Sequence, residues 1–254
     1  MTLSAGSPGL VETSTTGFGV AVGSVAGRDH RRARRDGQDG FARIATPAVT
    51  AAIVTDGCSS GAASEVGARL GAAWLADLIA DRFPGKDPCR AAIAVTQALV
   101  ERLRATALSL SSDGTIDAGG VGELLLFGFL AAVVTREHAV VFGVGDGIVW
   151  VDARATTIDP GPENAPPYAA YALLGATITP SMHHVSAAAD VEAIAIATDG
   201  AAELLVPGAD PSLETFIRDD RLLANPSLLR KRLVALEDRG HFWDDATVGV
   251  VRRA

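Results

Sequence analysis

A chain of 254 residues that is 48% apolar and 20% charged is long and apolar enough for one large globular domain. Its formal net charge of −8 excludes a surface that holds nucleic acid by charge alone, and its longest strongly apolar run, residues 124–134, is too short to span a bilayer. Two cysteines, Cys58 and Cys89, build no disulfide framework; their expected state is a pair of reduced thiols in a cytoplasmic protein.

Residues 1–16 are rich in Ser, Thr and Gly and lack the basic start and apolar stretch of a secretory signal. They read as a flexible segment ahead of one domain, 17–254. Residues 18–25 read as the first strand, and a basic loop with Arg28, Arg31, Arg32, Arg34 and Arg35 follows. The apolar runs 41–44 and 49–54, separated by Pro47, predict a hairpin ending at Asp56-Gly57. Beyond Gly61, Val66, Leu70, Trp74 and Leu78 recur every four residues and predict a helix with one apolar stripe, stopped by Pro84-Gly85. Asp87-Pro88 offers a cap and a first-turn proline for a second helix, striped by Val95, Leu99 and Leu103. Residues 109–120 read as a loop. The short runs 124–134, 139–144 and 148–151 predict an antiparallel meander, 160–167 a proline-rich loop, and 191–197 a strand ending at Asp199-Gly200. Asp210-Pro211 and Asn225-Pro226 repeat the cap-plus-proline signal. Leu229, Leu233 and Leu236 stripe the last helix, and 247–251 closes as a strand. Strands, two helices, strands, helices and a strand in that order indicate an α+β layer fold, not alternating βαβ units.

Four acidic turns carry the chemistry: Gln38-Asp39-Gly40, Thr55-Asp56-Gly57, Thr198-Asp199-Gly200 and Trp243-Asp244-Asp245. Any one Asp-Gly pair is only a turn. As a set beside apolar runs, however, they can converge at strand ends, and converged carboxylates repel unless a cation sits among them. Mg²⁺ and Mn²⁺ prefer such oxygen ligands. The residues thus predict an oxygen-ligated site for more than one ion. Residues 143–147 fit neither standard phosphate-binding glycine motif, so no nucleotide site is expected, and His183-His184 reads as surface.

Taken in order, Gln38-Asp39, Val54-Thr55-Asp56-Gly57, Gly143-Val144-Gly145-Asp146-Gly147, Ala197-Thr198-Asp199-Gly200 and Asp244-Asp245-Ala246-Thr247-Val248 resemble the metal-dependent serine/threonine protein phosphatases of type 2C. The resemblance spans residues 17–252, and 27–39, with His30, is most similar to a bacterial subgroup. It implies a four-layer α-β-β-α sandwich of two antiparallel sheets flanked by helices. It also implies a centre of two Mn²⁺ or Mg²⁺ ions, with a third in bacterial members. Carried over, Asp56 bridges both ions and Gly57 offers its carbonyl. Asp199 and Asp244 (favoured over Asp245 by register) hold one ion, Asp39 serves the other partly through water, and Asp146 and Glu203 serve the third. A hydroxide shared by the ions then attacks phosphoserine or phosphothreonine in line, with no phospho-enzyme.

The same resemblance places the phosphate-gripping arginine five residues before Asp39, at Arg34. Two positions depart from the family. Cys58 stands where some members have a histidine proposed as general acid, which leaves a metal-bound water or His30 to protonate the leaving oxygen. Gly122-Glu123-Leu124 replaces a Gly-Thr-Thr-like turn, and residues 160–174 fall on a variable flap. The implied partners are a phosphorylated protein and, by association, a cognate Ser/Thr kinase; no nucleic acid and no membrane are expected. The alternative reading is a pseudo-phosphatase, a phosphoprotein-binding or regulatory module with weak turnover.

Overall fold

In the computed structural model, which describes residues 16–206, 212–225 and 227–254, the chain opens with β1 (Phe18–Val25), α1 (Arg28–Ala33), β2 (Gly40–Ala45) and β3 (Thr50–Gly57). Then come α2 (Ser64–Arg82), α3 (Pro88–Leu110), α4 (Ala118–Leu124), β4 (Phe127–Val134), β5 (His138–Val144), β6 (Gly147–Val151) and β7 (Arg154–Ile158). The last part holds β8 (Ser181–Ala187), β9 (Ala193–Ala197), α5 (Leu213–Ile217), α6 (Arg221–Ala224), α7 (Ser227–Glu237) and β10 (Ala246–Arg253). One sheet has the order β1-β10-β9-β6-β7 and the other β2-β3-β4-β5-β8, with every neighbouring pair antiparallel.

The two sheets pack face to face through Val20, Val22, Val54, Leu130, Val141, Ile194, Ile196 and Val251. Helices α2 and α3 cover the outside of one sheet over Leu75, Ile79, Val95, Leu99, Leu103 and Phe142. Helices α5 to α7 cover the other over Ile148, Phe216, Ile217, Leu229, Leu233 and Leu236. Each fully buried side chain of this size contributes on the order of 1.5–3 kcal/mol. The result is the expected four-layer sandwich. None of the described helices is long and apolar enough to cross a membrane.

Several local expectations need correction. The basic stretch at 28–33 is a helix, because backbone from the other end of the chain caps it: Arg28 N and Asp29 N donate to Phe242 O and Trp243 O at 3.1 and 3.2 Å. The predicted stripe on α2 holds only in its second half, where Trp74 packs against the core and Leu78 is buried. Val66 and Leu70 are 42% and 38% exposed, and the buried face is Gly67, Ala68, Gly71, Ala72, Leu75, Leu78 and Ile79. Small residues face inward because α2 lies close over the chain entering β4; a Cβ on Gly67 would sit 2.4 Å from Leu124 O. The loop expected at 109–120 is shorter, since α3 runs to Leu110 and α4 starts at Ala118, capped by Asp117.

The expected meander is broken as well. β4 and β5 pair, but β6 crosses to the other sheet and pairs with β7 and β9. The turn that makes this crossing needs φ of +113° at Gly145 and +129° at Gly147, values that glycine alone adopts without strain. β7 and β8 carried too little apolar periodicity to be read. The flexible-segment reading of 1–16 falls almost wholly outside the described residues, as do Asp210-Pro211 and Pro226.

Candidate metal centre

The topology brings one end of each sheet together. Asp56 is the penultimate residue of β3, and Asp39 precedes β2, whose Gly40 pairs with Thr55. On the other sheet Asp199 follows β9 and Asp244-Asp245 precede β10, while Ala197 pairs with both Val248 and Ile148. Asp146 sits on the turn that crosses between the sheets. Gly200 lets the Asp199 turn close against β10, since a Cβ there would lie 2.0 Å from Asp245 O. A cavity of about 90 Å³ opens where these ends meet. Asp56, Asp146, Asp199, Asp244 and Asp245 line it, and Gln38, Gly57, Ser59, Pro166 and Tyr168 complete the wall.

A layer of hydrogen bonds behind the cavity fixes these carboxylates. Asp39 is buried, and its Oδ2 accepts from the hydroxyls of Thr198 at 2.9 Å and Thr247 at 2.6 Å. Asp245 is buried too: its Oδ1 accepts from Gly27 N at 2.7 Å and lies 3.0 Å from His30 Nδ1, and its Oδ2 accepts from Gln38 N at 2.5 Å. Asp245 thereby ties α1 and the entry to β2 onto β10. The Gln38 amide donates to Ser64 Oγ, Cys58 O and Gly61 O, which pins the loop after Gly57. Asp244 is exposed and, among the described residues, accepts only from the Asp245 N–H, which leaves a carboxylate oxygen for a ligand.

Electrostatics single out the same group. Burial, then the charges of Asp39, Asp199 and Asp146, hold the Asp56 carboxyl well above the usual carboxylate range, and its hydrogen bond to Asp199 adds to this. Asp39 is raised by burial and by Asp245 despite its two hydroxyl partners. Asp146 is raised by burial and Asp199. Asp244, though its side chain reaches the surface, is raised by partial desolvation of its carboxyl at the cavity and by the charges of Asp245 and Asp199, against the Asp245 N–H and the nearby His30, which lower it. Burial also pushes the Cys58 thiol up, but hydrogen bonds from Ser60, Tyr168 and the Gly61 N–H outweigh it and leave the thiol below its ordinary value. No Lys or Arg is part of the cavity lining among the described residues. An all-oxygen, carboxylate-rich donor set with no protein cation fits hard divalent ions.

Not every residue singled out in the sequence reaches this cavity. Asp56, Gly57, Asp146, Asp199 and Asp244 line it; Asp39 lies one layer behind. His30 stands beside Asp244 and Asp245, and these three offer ligand atoms all within 4.8 Å of one another. Arg34 is exposed at the left-handed end of α1, with φ of 55°, and Glu203 is exposed on the short 3₁₀ turn Asp199–Leu205; neither is part of the cavity lining. The hub role of Asp245 has no signature of its own, because two adjacent aspartates look alike until the backbone shows which one turns inward. Gln38, Thr198 and Thr247 stood inside the motifs without a role of their own, and Tyr168 fell on the flap stretch. The Thr-Asp-Gly and Asp-Asp-Ala-Thr strings did contain the two threonines that hold Asp39.

Comparison with known proteins agrees with this geometry. The sequence model of the family described as protein phosphatase 2C matches residues 26–236. Among solved structures, the catalytic domain of the serine/threonine phosphatase PstP in complex with two manganese ions has a TM-score of 0.58 at 20% identity, covering 92% of this chain and 97% of that one. The Mycobacterium tuberculosis phosphatase PstP/Ppp gives 0.61 at 18% identity, covering 92% and 98%. The phosphatase Stp1 from Staphylococcus aureus gives 0.58 at 14% identity, covering 92% and 94%. At these identities the structures show a shared fold. No curated protein matches the sequence.

Proposed function

The chain belongs to the protein phosphatase 2C family, and we propose that it hydrolyses phosphoserine and phosphothreonine monoesters of proteins with Mn²⁺ or Mg²⁺ held at the carboxylate cavity. One observation carries this reading: carboxylates from both sheets converge on one small cavity whose lining contains no cationic side chain. Asp56, Asp199 and Asp244 and the Gly57 carbonyl would hold two ions, with Asp39 acting from behind, and Asp146 would serve a third. When bound, the ions would supply an acidified water as nucleophile and neutralise charge on the phosphoryl oxygens.

The chain's own residues do the rest. A phosphoryl group reaching this cavity would bring the substrate protein to its mouth. Tyr168 walls one side, partly buried, with its hydroxyl on Cys58. His30, oriented through Nδ1 by Asp245, is the candidate to hold the proton that the leaving oxygen takes. Such an enzyme opposes a Ser/Thr kinase inside the cell.

The second reading, a phosphoprotein-binding module with weak turnover, draws on the exposed position of Arg34 and the absence of any guanidinium from the cavity lining. Calorimetric titration of the metal-free protein with Mn²⁺ separates the two. Saturable binding in the wild type, weakened in Asp56→Asn, supports the enzyme; no saturable binding supports the module.

A further inference from the structure

The surface beside the cavity carries a charge pattern that runs against the rest of the molecule. A groove of about 470 Å³ between α1 and the end of α7 is lined by Arg28, Arg31, Arg32 and Arg239 against Glu237 and Asp238. Arg31 takes both carboxylates, at 3.5 Å from Glu237 and 3.3 Å from Asp238. Among the described residues no carboxylate pairs with Arg28, Arg32 or Arg239. Four guanidinium groups against two carboxylates give this patch a local positive charge on a protein of net charge −8.

Trp243 stands against two of the arginines of this groove. It is 54% exposed, and the guanidinium groups of Arg28 and Arg32 each lie 5.5 Å from its ring centroid. Two cations on one indole hold the ring in place at the surface. The next residue is Asp244. The backbone bonds from Arg28 and Asp29 to Phe242 and Trp243, and the contact of the Arg28 guanidinium with Gly240 O, fix α1 against this segment. The short segment from Phe242 to Asp245 thus links α1, at the groove, to the cavity lining.

We infer that this groove is the subsite for acidic residues flanking the phosphorylated residue of the substrate protein. The inference rests on the phosphatase reading and adds a substrate class to it. Substrate carboxylates would meet Arg28, Arg32 and Arg239, whose planar forks match them. The Trp243 face would support the peptide between the subsite and the cavity. The same charges would offset the repulsion that an acidic segment meets at a cavity of five carboxylates.

The test uses one phosphothreonine peptide with acidic, neutral or basic flanks. Each is titrated into the Mn²⁺-loaded protein with intrinsic tryptophan fluorescence as the signal, and its hydrolysis is measured separately. The acidic peptide should bind about tenfold tighter than the neutral one, and this ratio should shrink between low and high salt. Arg32→Glu and Arg239→Glu should each remove or invert the preference, with circular dichroism as the check that both variants fold. Equal affinities for all three peptides, a preference unchanged in both variants, or a short RNA bound as tightly as the acidic peptide would overturn the inference. Hydrolysis of any of the peptides bears on the phosphatase reading alone, so the two can fail independently.

Discussion

At the scale of single residues, the decisive feature is a set of aspartates kept in one place against their mutual repulsion. Asp39, Asp56, Asp146 and Asp244 all have folded pKa values raised above those of the unfolded chain. Each therefore contributes stability that is fully present below the unfolded value of about 4 and is lost as pH rises through the raised folded value. The metal-free protein should thus lose melting temperature as pH climbs from about 4 towards 7. Mn²⁺ at about 100 times its dissociation constant should return about 2.7 kcal/mol. Asp56→Asn should flatten the metal-free decline and weaken the response to Mn²⁺. Thermal melts in chelator and in Mn²⁺ check this, and a wild-type profile that matches Asp56→Asn contradicts it. His30 makes a different prediction. If it protonates the leaving oxygen, His30→Gln should slow a phosphothreonine peptide, with its poor alkoxide leaving group, by on the order of 10²-fold. The same change should slow p-nitrophenyl phosphate far less, because nitrophenolate leaves without a proton. Equal losses on both substrates would assign His30 to holding Asp245 instead.

At the scale of elements, the apolar periods located most strands and helices but misjudged which way some of them face. In α3 the stripe of Val95, Leu99 and Leu103 is buried as expected, because large side chains fill the space over its sheet. In α2 the first two residues of the expected stripe, Val66 and Leu70, look outward, while glycines and alanines allow close packing, and size-based reading is blind to that geometry. The acidic turns were legible because Asp-Gly marks a strand end, and the strand order then decides that the ends meet. The sheet crossing at Asp146 was not legible, since a tight turn reads the same whether it returns to its own sheet or passes to the next. The α2 correction is testable by denaturant unfolding. Val66→Ala should change stability by less than about 0.5 kcal/mol. Leu75→Ala should cost about 2–5 kcal/mol. Gly67→Ala, meeting backbone at Leu124, should cost about 1–3 kcal/mol despite adding only a methyl group. A large loss from Val66→Ala would restore the original stripe.

At the scale of the whole molecule, two sheets joined face to face supply a rigid frame whose shared end can gather charges that no single element could hold. Residues between 39 and 245 in the sequence meet there because β2-β3 on one sheet and β10-β9-β6 on the other end at the same rim. In the proposed reading the two charged features divide the work: the carboxylate cavity would hold cations, and the arginine groove near it would meet acidic substrate. The central claim is that the gathered aspartates make a metal-dependent phosphatase. Its most direct test is the rate of phosphate release from a phosphothreonine peptide in Mn²⁺, wild type beside Asp199→Ala. The account predicts release by the wild type that stops in chelator and falls by on the order of 10²-fold or more in the variant; equal rates from the two proteins would contradict it.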